Sequence, residues 1–123
     1  GPVGMASAGK DSVYVTEAYA GLVSKIQTSG EKTVVVKDLK MPEGIAVAPD
    51  GKLVVAEVGA KRLVSIDPQS GAVTEIVGNL PIGLPGTPGG LPSNVPTGVG
   101  IGESGTIYFS SDVENAIYKV TKK

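Results

Sequence analysis

The stretch "MPEGIAVAPDGKLVVAE", Met41 to Glu57, places two short apolar runs on either side of a Pro-Asp-Gly turn. Runs of this length, rich in Val and Ile and closed by Pro, Asp or Gly, read as antiparallel strands rather than as helix. Parts of the same sentence recur in "PVGMASAG" from Pro2 and in "PTGVGIGESGTIYFSS" from Pro96. A shift of 40 residues puts Pro2, Gly4 and Ala6 on Pro42, Gly44 and Ala46, and Val13, Val15, Glu17 and Ile26 on Leu53, Val55, Glu57 and Ile66. A shift of 54 puts Pro42, Gly44 and Gly51 on Pro96, Gly98 and Gly105, and "LVVAE" on "IYFSS". The difference of 14 residues is one insertion, "PIGLPGTPGGLPSN" from Pro81 to Asn94.

Within one period the order is "GIAVA", the turn "PDG", "LVVAE", a polar link "VGAK", "RLVSI", the turn "DPQSG" and "AVTEIV". Four short strands in a period near 40 residues describe one blade of a β-propeller. The expected fold is therefore all-β, with blade 1 over 1–40, blade 2 over 41–80, the insertion over 81–94 and an incomplete blade 3 over 95–123. Expected strands in the first repeat are Val3 to Ser7, Ser12 to Thr16, Leu22 to Gln27 and Lys32 to Val36; in the third they are Gly98 to Gly102, Thr106 to Ser110 and Ala116 to Val120. The third repeat has no outer strand before Lys123. A propeller is stabilised by covering both faces of every blade, so three blades expose two apolar faces. The expectation is a homo-oligomer, most simply a two-fold dimer closing a six-bladed ring, with Lys119, Lys122 and Lys123 protecting the last edge strand from unwanted pairing. A piece excised from a longer propeller fits the same pattern, and Gly1-Pro2 has the form of a tag remnant although Pro2 also fits the repeat.

Composition removes several function classes. There are no Cys and no His among the 123 residues, which excludes disulfides, thiolate chemistry, Ser-His-Asp triads and His-held zinc. Twelve acidic and eleven basic side chains are scattered for a net charge of −1, without the basic stripe or stacking aromatics of a nucleic-acid binder. No apolar run reaches membrane-spanning length, and the start lacks a basic-then-apolar leader, so neither membrane nor compartment is indicated. "GVGIGESG" from Gly98 lacks the helix that a nucleotide-binding loop requires.

The Met41 to Glu57 stretch resembles the blade motif of the propeller superfamily of SMP-30/gluconolactonase-like, strictosidine-synthase-like and NHL-repeat proteins, which reads approximately P-N-G-[IL]-A-[VF]-x-P-D-G-x-[LI]-Y-V-[AT]-[DE]. "PTGVGIGESGTIYFSS" is similar to the same motif, altered at "ESG". The resemblance implies a six-bladed ring and, in the lactonases, a divalent metal, often Ca2+, held at the channel mouth by carboxylates and Asn. The motif's Asn slot holds Glu43 here, with Val3 and Thr97 in the other repeats; its terminal acid corresponds to Glu57, with Glu17 and Ser111 elsewhere. The His of the paraoxonase-like members has no counterpart.

Strand parity puts Glu43, Thr97 and the insertion, together with Glu17, Glu57, Ser111, Asp112, Glu114 and Asn115, at one end of the sheets. Candidate ligand-binding residues are thus Glu17, Glu43, Glu57, Thr97, Asp112 and Asn115, with Glu43 and Glu57 the candidate metal ligands for Ca2+ and no residue assigned to catalysis. Oxygen-only sites carry little signature, and solvated or backbone-bonded carboxylates are the competing reading. Ile82, Leu84 and Leu91 in the Pro/Gly-rich insertion suit either a lid or packing on the third repeat. The functional expectation is a self-associating scaffold or small-ligand binding module; the alternatives are a metal-dependent lactonase-like hydrolase using Glu43 or Glu57 with a raised pKa, and peptide or protein binding at the lid.

Overall fold

The computed structural model describes residues 1–86, 88 and 96–121. Alternating apolar and polar residues between tight turns give eleven strands in three antiparallel sheets among them. The first sheet is β1 (Pro2–Ser7), β2 (Ser12–Glu17), β3 (Leu22–Gln27) and β4 (Lys32–Val36), in that order. The second is β5 (Pro42–Val47), β6 (Leu53–Glu57), β7 (Arg62–Ile66) and β8 (Val73–Val77), and the third is β9 (Val99–Ile101), β10 (Ile107–Ser111) and β11 (Ala116–Val120). Helical structure among the described residues is limited to a 3-10 turn at Val58–Ala60, where the sequence suggested a polar link.

Turn chemistry sets the boundaries. Gly51 adopts φ 88° and donates to Ala48 O at 2.9 Å, while Asp50 Oδ1 accepts the Lys52 amide at 3.0 Å. In the third sheet Gly102 N donates to Thr106 O, and Gly105 N to Gly102 O, both at 2.9 Å. Those bonds draw Gly102 and Thr106 into the turn, which is why β9 is shorter than the expected Gly98 to Gly102 and β10 starts one residue late.

Burial explains why the Leu53 to Glu57 run lacks the polar alternation of a half-exposed strand. β6 is buried along its whole length because the second sheet lies between the other two. Toward the first sheet, Leu53, Val55, Ile45, Val64 and Ile66 cluster with Val23 and Leu39. Toward the third, Ala56 and Leu63 cluster with Phe109 and with Ile82, at the start of the insertion. Ile82 is therefore a packing residue and Leu84 is half-buried. Within the expected lid, residues 87 and 89–94, Leu91 among them, fall outside the described residues, as do Lys122 and Lys123; Lys119 is exposed on β11.

The first strand of each sheet lies against that of the next, β1 on β5 and β5 on β9. The glycines of the first two Pro-x-Gly segments make this approach possible. A Cβ on Gly4 would overlap the carbonyl oxygen of Glu43 and stand 2.9 Å from Thr16 Oγ1; a Cβ on Gly44 would overlap Thr97 O and stand 2.7 Å from Val99 N. Thr16 ties the first contact: its hydroxyl accepts the Gly4 amide at 2.9 Å and donates to Glu43 O.

Candidate functional site

The loops that lead into the first strand of a sheet and those that leave its second strand meet at one end of the sheets. Lys40 N, just before β5, donates to Glu57 Oε2 at 2.8 Å at the end of β6. Just after β10, Asp112 receives Gly83 N on Oδ1 at 2.9 Å and Leu84 N on Oδ2 at 2.8 Å, and Ser111 Oγ donates to Pro81 O. These bonds hold the beginning of the insertion against the third sheet.

The candidate residues divide into those engaged by the chain itself and those facing a groove. Glu57 is almost fully buried, with Arg62 Nε 2.6 Å from Oε1 and the Lys40 amide on Oε2. The same ion pair, with the partner Glu75, raises the pKa of Arg62 still further above its ordinary value. Glu17 pairs with Lys32 at 2.7 Å and accepts from Ser24 Oγ at 3.2 Å; the Lys32 bond leads the causes that hold its pKa below the ordinary carboxylate value. Asn115 takes a left-handed turn, φ 53°. Asp112 and Asn115 line a shallow cavity of about 440 Å³ with Pro96, Ser110 and Ile117.

Glu43 and Thr97 are different. Both line a groove of about 400 Å³ between the first strands of the three sheets, together with Val3, Met5 and Ser110. The ladder between β5 and β6 is irregular from Pro42 to Ile45, so Glu43 sits in a bulge, a common device for re-aiming a side chain. Its carboxylate is buried and accepts the Thr97 amide on Oε2 at 3.3 Å. Burial raises its pKa, the Thr97 N–H opposes that rise, and the negative charge of Asp112 adds to it. Thr97 is completely buried, and its Oγ1 has no hydrogen-bond partner among the described residues. A buried hydroxyl without a partner among the described residues thus stands near a carboxyl whose pKa burial raises.

Calcium requires about six to eight oxygen ligands, usually including several carboxylates. No group of three acidic residues placed to hold a metal occurs among the described residues. Glu57 already meets Arg62 and a backbone amide, and a site that raises the Glu43 pKa disfavours the anionic form a cation needs. This donor set does not fit a calcium centre.

Arg62 is the important residue that the sequence reading passed over. Hairpin register would have found it, because Arg62 stands directly opposite Glu57 across β6 and β7.

No family model matches the chain, and no curated protein matches it. Solved structures do. A catalytically inactive virginiamycin B lyase from Staphylococcus aureus, with quinupristin, aligns with a TM-score of 0.72 at 21% identity over 99% of this chain and 38% of its own. A gluconolactonase from Xanthomonas campestris aligns with a TM-score of 0.74 at 17% identity over 98% of this chain and 43% of its own. A streptogramin B lyase gives 0.62 at 21% identity, over 99% and 41%. These neighbours are SMP-30/gluconolactonase-like β-propeller proteins, and the chain spans about two-fifths of their length. At such identities the likeness is one of fold.

Proposed function

We propose that the chain is a run of three propeller blades that binds a small, uncharged, oxygen-rich molecule between the inner strands, with Glu43 and Thr97 as its polar contacts. The observation that carries this reading is the buried, unpartnered Thr97 hydroxyl beside a carboxyl whose pKa is raised by burial. The Glu43 carboxyl oxygens accept hydrogen bonds and the Thr97 hydroxyl both donates and accepts, a set that suits a hydroxyl-rich polyol or a lactone better than an anion. The fold supports this because propellers of the gluconolactonase kind are among its structural neighbours.

Calorimetric titration with glucose and with gluconolactone tests it. Binding by one of them is expected, weakened about tenfold by Thr97→Val, which keeps the shape and removes the hydroxyl. Equal affinity in wild type and variant, or no binding of either sugar, would overturn the reading.

The lactonase-like hydrolase is the second reading, favoured by the same structural likeness, with Glu43 as its general base. It predicts that gluconolactone is hydrolysed and that Glu43→Gln abolishes the hydrolysis while leaving binding. The binding module predicts no hydrolysis.

A pH titration of stability isolates Glu43. Its folded pKa lies above the unfolded value, so the stability it contributes is complete below the unfolded pKa and is lost as pH rises through the folded one. Wild type should therefore weaken as pH climbs from the ordinary carboxylate range, and Glu43→Gln should lose this component. Chemical denaturation at a series of pH values measures it, and parallel slopes for the two proteins would refute the assignment.

A further inference from the structure

Two interfaces inside the chain share one geometry, and the outer face of the third sheet carries the same parts uncovered. Gly4, Gly44 and Gly98 occupy one repeat position, as do Val3, Glu43 and Thr97. At the first interface the backbone of Glu43 closes on Gly4, and at the second the backbone of Thr97 closes on Gly44. Gly98 has room: a Cβ there would meet only Ser110 Oγ, at 3.6 Å. Ser110 in turn stands where Thr16 stands in the first sheet. Both hydroxyls accept the amide of their glycine, Gly98 N to Ser110 Oγ at 2.8 Å and Gly4 N to Thr16 Oγ1 at 2.9 Å. Thr16 also donates its proton to the carbonyl of the neighbouring sheet, and the Ser110 proton has no such acceptor among the described residues.

Burial follows the same pattern. Val23, Leu63 and Ile117 are equivalent, and their exposures are 0%, 0% and 78%. On the opposite face, Met5 is 72% exposed where its equivalent Ile45 is 5% exposed. Val13 and Ile26, the counterparts of the core residues Leu53 and Ile66, line a shallow surface groove instead. Among the described residues no sheet covers the outer face of the first sheet or that of the third, and the two faces are written in the same register.

We infer that the first sheet of a second copy of this chain docks on the third sheet, its Val3 carbonyl closing on Gly98 and accepting the Ser110 hydroxyl proton. Two such contacts related by a two-fold axis join six sheets into one ring. Ile117 is then covered as Leu63 is, and Met5 as Ile45 is. This interface shares Val3, Met5 and Ser110 with the rim of the groove at Glu43 but uses the side chains of neither Glu43 nor Thr97.

Sedimentation equilibrium at micromolar concentration tests the inference. Wild type is expected at twice the 12.4 kDa of one chain. Gly98→Val, whose side chain would enter the neighbour's backbone, and Ile117→Lys, at a position exposed in the single chain, are each expected to weaken dimerisation at least about hundredfold. Both should keep the strand-type circular dichroism of wild type, and Ile117→Lys decides the matter should Gly98→Val fail to fold. Wild type at the mass of one chain, an open series of larger masses, or a dimer indifferent to Ile117→Lys would overturn it.

Discussion

Gly44→Val is expected to abolish the joint between the second and third sheets and to lower stability by about 3 kcal/mol or more. The added Cβ would overlap Thr97 O and lie 2.7 Å from Val99 N and 2.8 Å from the Gly98 carbonyl carbon. All three are backbone atoms, so no rotamer change relieves the clash. Relief requires the inner strands to move apart, which also opens the cluster of Ala56, Leu63, Ile82 and Phe109 between the sheets. Domains are stable by roughly 5–15 kcal/mol, so this is a large share of the total. For a chain near this size each kcal/mol moves the melting temperature by about 4–8 °C, and thermal denaturation should show a fall of roughly 12 °C or more. A melting temperature within a few degrees of wild type would mean that the sheets do not approach as described. The Thr97 amide bond to Glu43 crosses the same joint, so the variant should also lose whatever ligand the groove binds.

The second large effect is expected from Arg62→Met, which removes the cation from Glu57 while keeping most of the aliphatic stem. Glu57 is almost entirely buried and, among the described residues, retains only the Lys40 amide. Leaving a buried carboxylate without its partner costs about 3–5 kcal/mol in closed interiors. Arg62 is itself partly exposed, so solvent screens the pair and a loss of about 2 kcal/mol is the better expectation. The pair as a whole is worth less than either deletion suggests, because desolvating both charges is costly. Adding Glu57→Gln to Arg62→Met should therefore restore part of the loss. Urea denaturation of the two single variants and the double variant gives the coupling directly; additive losses would place Arg62 outside the Glu57 interaction.

Strand positions were legible because they depend on local rules. Alternating Val and Ile, the Pro-Asp-Gly turn and the 40-residue shift located β2, β3, β6, β7 and β11 to within a residue or two. The one-ended placement of the acidic loops was legible for the same reason, since parity follows from the order of antiparallel strands. The use of each carboxylate was not. Glu43 and Glu57 looked alike as candidate ligands, yet one meets Arg62 through hairpin register and the other lies in a bulge beside Thr97, 54 positions away.

Local sequence alone determined an all-β chain of repeated antiparallel hairpins, because side-chain alternation and turn-forming residues act over a few positions. Tertiary structure decided which copy of each repeated residue is dry. Val23 and Leu63 are buried by the sheet that follows them, and Ile117, in the same repeat position, is left in water. It also decided that the pKa of Glu43 is raised, since that depends on burial between sheets and on Asp112 from a distant loop. Equal residues acquire unequal roles here because solvation is a property of neighbours, and the neighbours come from other repeats.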